Sequence, residues 1–511
     1  METKSELYTQ LWNSADILRG KMDASEYKNY LLGLVFYKYL SDQCIHKALE
    51  LLDEEGETPQ ERLNTYAEAF HDEEVAADLS EELRHELKYV IRPELTYTAM
   101  MNQIHMGEFQ LETLQKAFNE IEQSDPIFKG LFSDIDLYSS KLGKTPAAQN
   151  KTIADVMKHL AEVDLSNEKG DVLGDAYEYL IGQFASDSGK KAGEFYTPHA
   201  VSELMARIVL QGKEEVHALT AYDPAMGSGS LLLTLAKYSH HGHSIRYYGQ
   251  ELNTTTYNLA RMNMMLHGVD PMNQHFHNGD TLDADWPSEE PTNFDVVVMN
   301  PPYSQKWSAE KGFLDDPRYS SYGVLAPKSK ADYAFLLHGL YHLKDTGTMA
   351  IVLPHGVLFR GAAEGKIRQR LLEMGMIEAV IGLPANIFFN TSIPTCILVL
   401  KKDRTNRDVF FIDASQEFEK EKTQNHLREA HIQKIIDAYQ QRQDIDKFAH
   451  LATFEEIQEN DYNLNIPRYV DTFEEEEPVD LDQVKQQLQQ VDQELKDLNT
   501  TLAQYFNELG L

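Results

Sequence analysis

This sequence predicts an α/β protein with a doubly wound, mostly parallel sheet, a helical domain ahead of it and a long helix behind it. Three patterns carry that prediction. From Gly174 to about Lys402, short apolar runs alternate with amphipathic segments, as in a parallel sheet covered by helices on both faces. Residues 1–160 have few β-branched runs and carry helical periodicity instead. From Leu481 onward, apolar residues recur at alternating steps of three and four.

Taken in order, the helical domain (1–160) contains periodic stretches at Tyr27–Leu40 and Leu111–Ile121. The central domain (161–410) has strand-like runs at Ala218–Tyr222, Ile245–Gln250, Phe294–Met299, Met349–Leu353, Ala379–Leu383 and Cys396–Leu400. Between them lie helical candidates at Ser230–Tyr238, Thr255–His267, Ala331–His342 and Ala363–Met374. Cys396–Leu400 follows Ala379–Leu383 too closely for a crossover helix, so this pair is expected to be antiparallel. Beyond Phe410 the pattern reads as helix again, notably Gln424–Gln441, and an acidic run at Glu474–Glu477 followed by Pro478 marks a linker within 411–477. The last segment (478–511) carries Leu481, Val484, Leu488, Val491, Leu495, Leu498, Leu502, Tyr505 and Leu509, a narrow heptad seam that suits a partner helix.

Composition narrows the functional classes. Apolar residues make up 42% of 511 and charged residues 25%, an ordinary globular balance, and no apolar run approaches the roughly 18 residues of a membrane span. The N-terminus, METKSELYTQLW, lacks a signal-peptide pattern, and Cys44 and Cys396 are the only cysteines, which points to a reduced, cytoplasmic setting. No metal site is expected: His240, His241 and His243 share a glycine-containing loop without Cys or carboxylate at ligand spacing. The net charge of −35 is the wrong sign for gripping nucleic acid everywhere, yet Pro301–Phe410 holds 14 Lys and Arg against 10 Asp and Glu. Within it, Lys401, Lys402, Arg404 and Arg407 read either as a solvated edge or as a phosphate-contacting one. No G-x-x-x-x-G-K-[ST] loop for ATP is present.

The chemistry-bearing residues fall at strand ends. Asp223-Pro-Ala-Met-Gly227-Ser228-Gly229-Ser230 joins a strand to a helix, so its glycines let the backbone approach a ligand at the helix N-terminus. Leu232 stands where a dinucleotide fingerprint wants glycine, which disfavours NAD. Glu251 ends the next strand, where a carboxylate faces a nucleoside ribose, and Asp280 follows a third, where it can accept from an adenine amino group. Each alone is an ordinary surface acid; three in register are not. Asp295-Val-Val-Val-Met-Asn300-Pro301-Pro302-Tyr303 then delivers an amide, two prolines and a ring to the same edge. The Asn300 oxygen and the Pro301 carbonyl can each accept one hydrogen of a planar amine, with Tyr303 stacked on its ring.

With these motifs in view, the chain resembles the S-adenosylmethionine-dependent amino-methylating DNA methyltransferases, and closely the modification (M) subunit of type I restriction-modification systems. The likeness covers nearly the whole chain. It includes Val172-Leu-Gly-Asp-Ala-Tyr-Glu-Tyr-Leu180, Gly193-Glu-Phe-Tyr-Thr-Pro198, Lys328-Ser-Lys-Ala-Asp-Tyr-Ala-Phe335, Leu383-Pro-Ala-Asn-Ile-Phe-Phe389 and Tyr462-Asn-Leu-Asn-Ile-Pro-Arg-Tyr469. The resemblance implies methyl transfer from S-adenosyl-L-methionine to the N6 of adenine in duplex DNA. By it, Glu194, Tyr196, Thr197 and Pro198 line the methionine end of the cofactor, and Asp223, Gly227, Ser228 and Gly229 lie beneath it. Glu251 holds the ribose and Asp280 the adenine. Asn300, Pro301 and Pro302 hold the target amine, while Tyr303 and Phe388 clamp a flipped adenine, with Phe389 competing for the last role. The implied partners are DNA, a specificity (S) subunit that reads the sequence and binds two M subunits, and a restriction (R) subunit. A protein or RNA amine methyltransferase and a non-catalytic DNA-binding scaffold are the rival readings.

Overall fold

The computed structural model describes residues 4–161, 170–187, 196–389, 391–421, 424–472 and 481–509, and divides into a unit of residues 1–470 and a unit of residues 471–511. The first contains nine strands in one sheet: β1 (Thr220–Asp223), β2 (Arg246–Glu251), β3 (Gln274–Asn278), β4 (Phe294–Met299), β5 (Leu343–Pro354), β6 (Ile377–Gly382), β7 (Thr395–Leu400), β8 (Val409–Asp413) and, beyond a short hairpin of β9 (Glu419–Lys420) and β10 (Asn425–His426), β11 (Ala449–Ala452). Their order across the sheet is β3-β2-β1-β4-β5-β7-β6-β8-β11. As expected, β7 runs antiparallel to both neighbours, pairing Pro354 with Thr395 and Gly382 with Cys396; β11 is the second antiparallel strand.

Alternate residues of each strand feed two cores, as the pleat demands. Val296, Val298, Ala350 and Val352 pack against helices His199–Val209, Ser230–Tyr238 and Glu429–Gln441. Val297, Met299, Met349 and Ile351 pack against Asp332–Tyr341 and Ala362–Glu373. Helix Thr254–Leu266 belongs to two layers: Ala260 and Met264 face the sheet core, whereas Leu259, Met262 and Leu266 join the core of the N-terminal helical bundle. Arg261 fastens that junction by donating to the carbonyls of Lys129, at 3.0 Å, and Ile127.

Two expectations need correction. The chain does not return to helix directly after Phe410: β8 spans that position and β11 lies beyond the next helix, so the sheet runs past the boundary drawn there. A five-residue apolar run such as β8 has no periodicity to distinguish strand from helix, and its neighbours supplied the helical context. Helix Glu429–Gln441 is correspondingly shorter than the Gln424–Gln441 expected. The tail is one helix, Leu481–Leu509, on which Leu488, Val491, Leu495, Leu498 and Leu502 are exposed. Among the described residues no helix is long and apolar enough to cross a membrane.

Candidate active site

The strand order reverses between β1 and β4, and in an open α/β sheet that divergence leaves a crevice at the C-terminal strand ends. A pocket lies there, open to solvent. Its lining includes Tyr196, Thr197, Asp223, Gly227, Ser228 and Asn300, drawn from the helical approach, the β1 loop and the end of β4. Thr197 and Asn300, 103 positions apart in sequence, thus share one cavity. Glu194 lies outside the described residues, and Pro198 caps helix His199–Val209, its carbonyl accepting from Val201 at 2.9 Å.

The glycine loop takes its form from backbone freedom. Gly227 and Gly229 sit at φ 54° and 79°, left-handed values that glycine reaches without steric cost. A Cβ on Gly229 would also stand 3.1 Å from the Met264 Cε, so this glycine lets the loop approach helix Thr254–Leu266. Asp223 is 1% exposed, and its Oδ1 accepts from the Ala225 N–H at 2.9 Å. Burial, with the nearby Glu251 carboxylate adding to it, pushes the Asp223 carboxyl well above the usual carboxylate range, against the pull of that one N–H.

Glu251 does more locally than a strand-end acid would. Its Oε2 accepts from Gly227 N–H at 3.2 Å and its Oε1 from Asn253 N–H at 2.8 Å, which ties the glycine loop to the turn after β2. Burial raises its pKa despite these bonds. A carboxylate offers about four lone-pair positions, more than these bonds use, so it can still accept from a ligand hydroxyl. Asp280 is half-buried beyond β3 and caps its own turn through Leu282 N–H at 2.9 Å; it does not line the pocket.

Asn300 is held at both ends. Its Nδ2 donates to Thr197 Oγ1 at 3.1 Å, and its Oδ1 accepts from the Tyr303 hydroxyl at 2.6 Å. The two bonds fix which way the amide points, with its oxygen toward Tyr303. Pro301 is buried and Pro302 half-buried. Tyr303 meets Phe388 edge-on, centroids 6.1 Å apart at 90°, whereas Phe389 packs toward Tyr196 at 6.0 Å. The two adjacent phenylalanines therefore serve different neighbours, and Phe388 is the one beside the Asn300 loop. Burial raises the Tyr303 phenol well above its ordinary pKa, so it stays a hydroxyl and a donor.

Sequence reasoning overlooked the support of this loop. Ser304, at φ 52°, follows Tyr303, and its N–H donates to Asp332 Oδ1 at 2.8 Å. Asp332 is 1% exposed and its other oxygen accepts from Arg360 at 3.2 Å. The motif Lys328–Phe335 contains Asp332, but an acid at a helix start reads as an ordinary first-turn residue.

The basic run after β7 is engaged within the fold, which favours the architectural alternative over the phosphate-contacting one. Because β7 is antiparallel, it delivers Lys401, Lys402, Arg404 and Arg407 to the opposite edge of the sheet. There Arg404 donates to the carbonyls of Gly375 at 2.9 Å, Ile377 at 2.7 Å and Asp408, and Lys402 to that of Leu343. Lys401 pairs with Glu378 at 3.1 Å, and Arg407 lies 3.7 Å over the Phe454 ring. His240, of the loop histidines, pairs with Glu215, and His241 stacks on His217.

Comparison with known proteins agrees with this geometry. The N-6 DNA methylase family model matches residues 168–478, and the HsdM N-terminal domain model matches residues 7–160. The chain is 36% identical to the type I restriction enzyme MpnII methylase subunit of Mycoplasma pneumoniae, covering 99% of this chain and 97% of that one. It is 32% identical to the MjaVIII methylase subunit of Methanocaldococcus jannaschii, covering 99% and 85%. The crystal structure of a type I restriction-modification methyltransferase subunit from Streptococcus thermophilus superposes with a TM-score of 0.90 at 64% identity, covering 92% of this chain and all of that one. A strand order that opens a crevice beside Asn300-Pro-Pro-Tyr303, and likeness along both halves of the chain, lead to one conclusion: this chain belongs to the N-6 DNA methylase family, as the methylase subunit of a type I restriction-modification system.

Proposed function

We propose that the pocket between β1 and β4 binds S-adenosyl-L-methionine and that the Asn300 loop presents to it the N6 amine of an adenine flipped out of duplex DNA. The observation that carries this reading is the Asn300 amide, clamped by Thr197 and Tyr303 at the wall of a pocket whose other wall holds Asp223 and Gly227. The residues present suit such a cofactor. A buried Asp223 with a backbone N–H on one oxygen, and the hydroxyls of Ser228 and Ser230, supply acceptors for a ligand rich in hydroxyl and ammonium donors.

Bound there, S-adenosyl-L-methionine supplies a methyl group already made electrophilic by its sulfonium. The protein's own part is placement. Thr197 holds the Asn300 amide so that Oδ1 faces the Tyr303–Phe388 side, and Oδ1 with the Pro301 carbonyl accepts the two amine hydrogens. That directs the nitrogen lone pair along the line of attack, and orientation of this kind accounts for much of the rate gain in a two-reactant displacement. Phe388 and Tyr303 offer the ring faces and edges that receive a flipped base. Glu251 completes the nucleoside side through its free lone pairs, with Tyr196 and Thr197 at the methionine end.

Exposed Lys306, Lys311 and Lys328 lie between the Asn300 loop and helix Asp332–Tyr341, with no ion pair among the described residues, and we assign them to the DNA backbone. Recognition of the site falls to a specificity subunit carrying two methylase chains, and cleavage to a restriction subunit. The exposed seam of the tail helix is the element that docks on that assembly, while residues 1–160 brace the catalytic domain. The substrate places the reaction in the cytoplasm, where the free, buried Cys44 and Cys396 stay reduced.

The test is labelled-methyl transfer to duplex DNA by the chain with its specificity subunit, followed by nucleoside analysis. N6-methyladenine is expected. Product on RNA or peptide instead, or no product with cofactor bound, would overturn the reading. Removing Leu481–Leu511 should abolish assembly and DNA methylation while leaving cofactor affinity intact; a truncated chain that still assembles removes the docking role.

A further inference from the structure

The Val172–Leu180 motif carries part of the family likeness, yet none of its described side chains is among those lining the active-site pocket. It lies on helix Gly170–Asp187, and its glycine has a visible purpose. A Cβ at Gly174 would come within 2.6 Å of the His267 ring, so the helix backbone presses directly on that imidazole. His267 follows helix Thr254–Leu266, and its Nδ1 lies 2.9 Å from the Asn263 carbonyl. A carbonyl only accepts, so Nδ1 bears a proton and Nε2 is the nitrogen left to ligate. That Nε2 is buried without a hydrogen-bond partner. Glu178 is 8% exposed, and its Oε1 is likewise buried without a partner. One ligand atom each from Asp175, Glu178 and His267 lies within 4.8 Å of the others.

We propose that Asp175, Glu178 and His267 form a divalent-cation site, best suited to zinc. One imidazole nitrogen and two carboxylate oxygens make a borderline donor set of the kind zinc takes. The Nδ1–H bond to a backbone carbonyl is the outer contact that orients a ligating histidine. Two acceptors sealed from water with no donor between them are costly, and a cation satisfies both at once. Lys237 lies 3.0 Å from Asp175 Oδ1, and its side chain is 40% exposed, so the ammonium can turn to solvent as the ion enters. The ion would join helix Gly170–Asp187 to the end of the helix that begins just after Glu251, a clip behind the cofactor pocket with no part in the transfer itself.

The test uses the full-length chain stripped with chelator and titrated with zinc by calorimetry, alongside thermal melts. One zinc per chain and a raised Tm are expected. Glu178→Gln, nearly isosteric, and His267→Asn should each weaken binding at least about 10-fold, the lower bound for disturbing even an outer-shell partner. His241→Gln, in the exposed histidine loop, should leave it unchanged. Glu178→Gln must melt like wild type without zinc, which separates a lost ligand from a lost fold. Failure of the wild type to bind zinc, wild-type affinity in Glu178→Gln, or loss of binding in His241→Gln would each overturn the site.

Discussion

The two edges of the sheet carry similar residue types and use them in opposite ways. At the far edge, Arg404 and Lys402 give their hydrogens to backbone carbonyls at the starts of β5 and β6, and Lys344 closes on Asp295 at 2.8 Å, which also accepts from Thr220. At the near edge, Asp223, Glu251 and Asn300 are also bonded, but their oxygens keep acceptor capacity that these bonds do not exhaust. Charges that finish a strand end contribute to stability. Acceptors fixed in direction yet incompletely used are what a ligand requires. The difference separates binding chemistry from architecture within one sheet, and variants at the two edges should separate the same way.

The largest effect is expected at Asn300. Asn300→Ala removes one aligned acceptor of the target amine and should lower the methyl-transfer rate by about 10²–10³, with cofactor affinity within a few-fold of wild type. Single-turnover kinetics beside calorimetry checks both halves; unchanged rate would take the chemistry away from this loop. Glu251→Ala follows. Losing a carboxylate that orders the glycine loop and accepts ribose hydroxyls should cost roughly 2–4 kcal/mol of cofactor binding. Cofactor affinity equal to wild type would reduce Glu251 to a loop brace.

Across the sheet the expectation inverts. Arg404→Ala leaves carbonyls of Gly375, Ile377 and Asp408 without their donor, which should lower stability by about 1.5–3 kcal/mol, the range for hydrogen bonds to a charged group. Chemical denaturation reads the loss, and cofactor affinity should not move. A variant that methylates DNA poorly with undiminished stability would return this edge to nucleic-acid contact.

That contrast was only half legible in the sequence. The strand–helix alternation gave the order of elements, and the antiparallel β7 followed from loop length alone. Asp223, Glu251 and Asn300 announced themselves because a polar residue at the end of an apolar strand has few structural excuses. Lys401–Arg407 stayed open between two readings for the same reason in reverse: their position after a strand is visible, but which edge that strand points to depends on its direction. Asp332 and the short β11 were hidden because neither a helix-start acid nor a four-residue edge strand departs from ordinary local patterns. The separate neighbours of Phe388 and Phe389 likewise appear only once the β6–β7 loop is folded.

The smallest expected effect tests how finely the near edge is built. In Tyr303→Phe the ring stays beside Phe388 and only the hydroxyl bond to Asn300 Oδ1 is lost. If the hydroxyl merely steadies an amide already anchored by Thr197, the loss should be that of one neutral hydrogen bond, about 0.5–1.5 kcal/mol or a roughly two- to tenfold slower transfer. Tyr303→Ala, which also removes the ring surface, should fall well below that. Were Tyr303→Phe as slow as Asn300→Ala, the hydroxyl would rank with the amide in aligning the amine, and the loop's side-chain bonds would matter more than its aromatic wall. Were it faster than wild type, the hydroxyl would be competing with the substrate amine for Oδ1, and the acceptor capacity inferred at this edge would have to be counted as one site and not two.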